Sequence, residues 1–121
     1  MITHPSAAEL TEALAAFDTA SATDARAMFL ARVADNARAT LEREAALGPA
    51  AKVAAVARLK VLLGAEGGFE ALNAELCDRL REGRLSPLDP AVLGHLKASA
   101  IDQIAIDQPG YSGLAALAGP R

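Results

Sequence analysis

Chemistry in this chain would have to start from very few groups. There are two histidines, His4 and His95, at opposite ends, and one cysteine, Cys77. A single cysteine excludes an internal disulfide framework and a cysteine-cluster metal site. No His-x-x-x-His or Glu-x-x-His pair is present. The carboxylate pairs Glu42/Glu44 and Asp102/Asp107 have spacings that put neither pair on one helix face. No metal and no cofactor is expected. Gly64-Ala65-Glu66-Gly67-Gly68 is glycine-rich, but no Lys-Ser/Thr pair follows it and a helical pattern rather than a strand precedes it. That context is a turn, not a phosphate cradle. Cys77 falls in an apolar helical stripe, where burial keeps a thiol protonated and inert. Catalysis would have to rest on His95 and Asp107, which diverge around one helix. The sequence therefore predicts no enzyme.

Other polar residues are less ordinary. Arg32, Asn36 and Arg43 line up on one flank of an apolar stripe, with Glu44 close to the stripe itself. Further along, Gln103 and Asp107 fall on the same side of a helix as Leu96 and Ala100. Asp107 is at that helix's C-terminus, where the dipole disfavours an anion, so it calls for a cation or several donors. With His95 these residues form the candidate polar cluster: Arg32, Asn36, Arg43, Glu44, His95, Gln103 and Asp107. Three readings stay open. Asp107 pairs with Arg32 or Arg43, or caps the next turn; the cluster forms a pocket for a ligand or a partner's side chain; or Asp107 is exposed.

The elements that must position these groups are all helical. Thirty of the 121 residues are alanine, the strongest helix former, against five valines, four isoleucines and no tryptophan. Ser6-Ala7-Ala8-Glu9 fits a capping box and opens a helix that fades near Asp18. Asp24 can cap a second helix reaching about Leu47, with Leu30, Val33, Ala34, Ala37, Leu41 and Ala45 on one face. Gly48-Pro49 reads as its end and as the start of a third helix, which runs to Leu63 and stops at Gly64. A fourth helix covers Phe69 to Arg81. A fifth opens at Asp89-Pro90, a cap followed by proline, and closes at Gln108-Pro109-Gly110. Short connections between amphipathic helices predict an all-α fold, a compact antiparallel bundle of about five helices. One domain over residues 1–109 is expected. The tail, 110–121, is either disordered or docked through Leu114 and Leu117.

Composition narrows the partners. Twelve basic and fifteen acidic residues give a net charge of −3. Arg26, Arg32, Arg38 and Arg43 are scattered around their helix among Glu42 and Glu44, so no basic face for nucleic acid is expected. No run approaches the roughly 20 apolar residues that span a bilayer, and Met1–Pro5 does not open a signal peptide. A cytoplasmic setting without membrane or nucleic acid is expected.

Several segments taken together carry a resemblance. They are Phe29-Leu-Ala-Arg32-Val33-Ala-Asp-Asn36-Ala leading into Glu42-Arg43-Glu44; Ala71-Leu72-Asn73-Ala-Glu75-Leu76 with Arg81-Glu-Gly83; and His95-Leu96-Lys97 leading into Ala105-Ile106-Asp107-Gln-Pro109-Gly-Tyr111. In order and spacing, over roughly residues 6 to 111, they resemble a family of small bacterial all-helical domains of unknown function. Members of that family are typically encoded beside aminoglycoside-phosphotransferase-like kinases and acyl-CoA dehydrogenases. The resemblance implies an association, with no catalytic residues to carry over. The chain departs from the family's closing motif at Gln108, usually Asn, and at Gly110, usually basic. It is also more polar over Asp18 to Arg26.

The expected function is a non-enzymatic accessory or interaction module. A phosphotransferase-like kinase is the expected partner, and a homodimer would also bury the surplus of small apolar surface. The alternative is a binder of an acyl or acyl-CoA ligand inside the bundle.

Overall fold

The computed structural model describes residues 5–18 and 25–119. These residues form five helices and no strand: α1 (Ala7–Asp18), α2 (Ala25–Leu63), α3 (Phe69–Arg81), α4 (Pro90–Asp107) and α5 (Leu114–Ala118). The all-α expectation holds. Asp24, the expected cap of the second helix, lies outside the described residues.

Local signals act where the sequence puts them. The Ser6 backbone N–H donates to Glu9 Oε2 at 2.7 Å, and the Glu9 N–H donates to Ser6 Oγ at 3.2 Å. This reciprocal pair satisfies two of the free donors at the start of α1. Donation from Ser6 holds the Glu9 carboxyl below its usual value. At the start of α4 the Asp89 carboxylate accepts from the Ala91 N–H at 2.8 Å, with Pro90 in the first turn. Gly64, at φ +61°, takes the left-handed position that ends α2.

The break expected at Gly48-Pro49 is absent. The second and third expected helices are one 39-residue helix, α2, with Pro49 inside it. An interior proline lacks a donor and crowds the carbonyl four residues back, at a cost of about 3 kcal/mol. Tertiary packing offsets that cost. Leu47, Ala51 and Ala54 on both sides of the junction line one seam with Ala98, Ile101 and Ala105 of α4. Pro49 itself is exposed, while Gly48 is buried. A Cβ at Gly48 would stand 3.0 Å from Glu44 Oε1, so the missing side chain is what lets the Glu44 carboxylate fold against the helix there.

The long helix is a spine of about 58 Å at 1.5 Å per residue. α1, α3 and α4 each pack against it, α5 packs on α4, and the backbones of α3 and α4 do not approach each other closely. α3 covers the C-terminal end of α2 through Leu59, Leu63, Leu72 and Leu76, with Val56, Phe69 and Leu80 around them. α4 runs antiparallel to α2: Arg58 meets His95, and Arg43 meets Ile106. The segment after α4 forms α5, which packs against α4.

Candidate functional site

The polar centre of the fold is on the α2–α4 seam. His95, Ser99 and Asp102 are spaced by four and then three residues, which puts all three on one face of α4. That face meets Arg58 of α2. Arg58 Nε donates to His95 Nδ1 at 3.2 Å, its Nη2 donates to Ser99 Oγ at 3.4 Å, and the same nitrogen stands 4.0 Å from Asp102 Oδ2. A guanidinium can only donate, so Nδ1 must carry the lone pair and Nε2 the proton. His95 is 4% exposed. Burial, and then the positive charge of Arg58, lowers its pKa below the ordinary 6.5. The imidazole is thus a neutral structural acceptor whose only free lone pair is already engaged. A general base needs that lone pair for substrate.

Arg58 separates two open apolar depressions along the seam. One, about 470 Å³, lies among Ala57, Val61, Leu62, Ala91 and Gly94. The other, about 440 Å³, lies among Leu47, Ala51, Ala54, Ala98 and Ile101. A third, about 270 Å³, lies between α1 and α2 among Leu10, Leu14, Phe17, Leu30 and Val33.

The residues singled out from sequence do not form one cluster. His95 joins Arg58. Arg43 Nε donates to the Ile106 carbonyl at 2.6 Å, and its Nη2 donates to Thr40 Oγ1 at 3.1 Å. The cation demanded by the C-terminus of α4 is therefore present, but it serves the carbonyl before Asp107 rather than the carboxylate. Such a carbonyl has no partner within its own helix. Asp107 is exposed and accepts from Gln103 Nε2 at 2.7 Å. Glu44 lies against Gly48. Arg32 and Asn36 are exposed beyond the end of α4, and the Asn36 carbonyl accepts from Thr40 Oγ1 at 2.9 Å.

Arg79 repeats the device at the other end of the spine: its Nη1 donates to the Leu63 carbonyl at 3.0 Å and its Nε to Glu75 Oε1 at 2.7 Å. Arg58 and Ser99 are not among the residues that the sequence singles out, and Asp102 enters there only as a carboxylate pair with Asp107. The four-then-three spacing from His95 to Asp102 was visible there, but nothing in the sequence said which arginine would face it. Cys77 is half-buried and stands outside the leucine core. Among the described residues no group of three or more His, Cys, Asp or Glu side chains could hold a metal ion, and no helix is long and apolar enough to cross a membrane.

Residues 21–111 match the family described as a domain of unknown function, DUF6285. The chain belongs to that family. No curated protein and no solved structure matches it. The DUF6285 span contains α2, α3 and α4 whole, and with them the Arg58–His95 seam and both arginine-capped helix ends. α1 and α5 lie outside it.

Proposed function

We propose that the protein is a non-catalytic helical interaction module that docks a partner protein, a phosphotransferase-like kinase of acyl-CoA-related metabolism. The observation that carries this reading is the N-terminal half of α2. Between Ala25 and Glu42 only Ala34 is buried, while Phe29 (56% exposed) and Val33 (48%) stand in solvent on one face and Met28 (72%) on another. Large apolar side chains grouped in this way mark an association surface more often than a free one. The engaged lone pair of His95 supports the non-catalytic part. The kinase follows from the family resemblance. Co-expression with the phosphotransferase-like kinase of the same organism tests the reading. The two proteins should co-elute in gel filtration, whereas free mixing at micromolar concentration with no complex would overturn it.

A second reading, a binder of an acyl or acyl-CoA ligand, draws on the apolar depressions that flank the Arg58 guanidinium. A cation between two greasy grooves suits a ligand with an acidic head and a hydrocarbon chain. Such a ligand would raise the melting temperature by mass action. A flat response across acyl chain lengths would dismiss it.

A further inference from the structure

One line of residues runs along α2 at spacings of four or three: Phe29, Val33, Asn36, Thr40, Arg43, Leu47, Ala51, Ala54, Arg58 and Leu62. That spacing keeps them on a single face. From Arg43 onward α4 runs beside the line: Arg43 bonds Ile106, Leu47, Ala51 and Ala54 border the open depression shared with α4, and Arg58 bonds His95. Then α4 stops at Asp107. Over residues 25–40, about 24 Å of helix, no helix among the described residues lies along the same face. α1 does not fill this slot. It packs mainly along a neighbouring face, through Leu30, Ala34 and Ala37, and Val33 stands on the border. α5 does not fill it either, since it packs on α4 and not on α2.

The open stretch has a definite chemistry. Phe29 and Val33 are its apolar centre, followed by the polar Asn36 and Thr40. Arg26 and Arg32 stand three residues before and three after Phe29, so they flank the line on opposite sides. Both are exposed, and neither meets an acid among the described residues. Arg38, by contrast, is neutralised by Asp18 and Asp35 on another face. A second copy of the chain docked here about a two-fold axis would bring four arginines together with no acid on the line, an arrangement that like-charge repulsion disfavours.

We propose that this slot, in line with α4, receives an amphipathic helix of a partner protein, with apolar residues at alternating three- and four-residue spacing and acidic residues on both flanks. The apolar stripe covers Phe29 and Val33, and the acids meet Arg26 and Arg32. The proposal rests on the interaction-module reading and names its docking site and the partner's chemistry.

The test is a fluorescence anisotropy titration of the full chain with a labelled helical peptide of about sixteen residues, a length set by the slot. The peptide carries leucines at the stated spacing and glutamates on the flanks, and a second peptide carries lysines instead. Binding of the glutamate peptide is expected to weaken at least about tenfold in Val33→Asp, equivalent to roughly 1.4 kcal/mol. The double variant R26E/R32E should reverse the preference toward the lysine peptide. All three positions are exposed, and unchanged circular dichroism melts would confirm that the variants fold. Equal binding of both peptides, no saturation of wild type in the hundred-micromolar range, or a wild-type dimer that Val33→Asp dissociates would each overturn the slot. A kinase complex that forms in wild type and survives Val33→Asp leaves the module reading standing and removes the slot. Peptide binding without any kinase complex does the reverse.

Discussion

His95 is neutral in the fold because burial strips its hydration and Arg58 donates to the lone pair that a proton would take. This has a consequence for stability. In the unfolded chain the imidazole titrates near 6.5, and in the folded chain it titrates lower. Above that value both states are neutral, and the full stability is present. As pH falls through 6.5 the unfolded state takes up the proton first, so stability declines until the folded imidazole is also protonated. Denaturation midpoints at pH 7.5 and 5.5 should therefore fall further for wild type than for His95→Gln, which keeps an acceptor but cannot titrate. Equal falls would place the pH dependence elsewhere. The carboxyls of Glu9, Glu70 and Glu75, all lowered by donors, lose their contribution only in more acidic solution. The same scale explains Asp107. Its charge at a helix end calls for a cation or donors; Gln103 donates to it, and the arginine that arrives caps the Ile106 carbonyl instead.

A 39-residue helix with proline near its middle works only if something other than propensity holds the junction. On its own, Gly48-Pro49 is a valid helix stop. It does not act as one because α4 lies across both sides of the junction and makes one seam of residues from Leu47 to Ala54. A bend sharp enough to end the helix would separate those residues from Ala98 and Ile101. It follows that Pro49 is tolerated rather than required. Pro49→Ala would restore a backbone donor and remove the ring from the Ala45 carbonyl. It should stabilise the fold by about 1–3 kcal/mol, partly offset by greater freedom of the unfolded chain. A thermal melt checks the sign; a drop in melting temperature would mean that the proline sets a local geometry the fold needs.

At the scale of the whole molecule, packing is uneven along the spine. The C-terminal half of α2 is covered by α3 and α4 and holds Leu59 with no exposed surface, whereas over residues 25–40, among the described residues, α1 is the helix that packs on it and only Ala34 is buried. Local opening is governed by such differences in buried apolar contact. Amide hydrogen exchange should show the slowest protons around Leu59, Leu76 and Ile106, and much faster exchange over residues 25–40. An occupant of the open slot beyond α4 would slow that segment selectively. Uniform protection along all of α2 in the isolated protein would contradict the unevenness.

The chain alone determined what depends on near neighbours: helices throughout, the Ser6–Glu9 and Asp89–Pro90 starts, and the stop at Gly64. These rest on hydrogen bonds spanning two to four residues and on backbone preferences, which sequence spacing displays directly. Only the tertiary structure decided that Gly48-Pro49 does not end a helix, that Arg58 is the partner of His95, and that Arg43 caps a carbonyl 63 residues away. It also decided which face of α2 is left open where α4 ends. Each of these outcomes depends on how two distant helices register against one another. Twelve interchangeable cations and thirty near-identical alanines leave that register unmarked in the sequence.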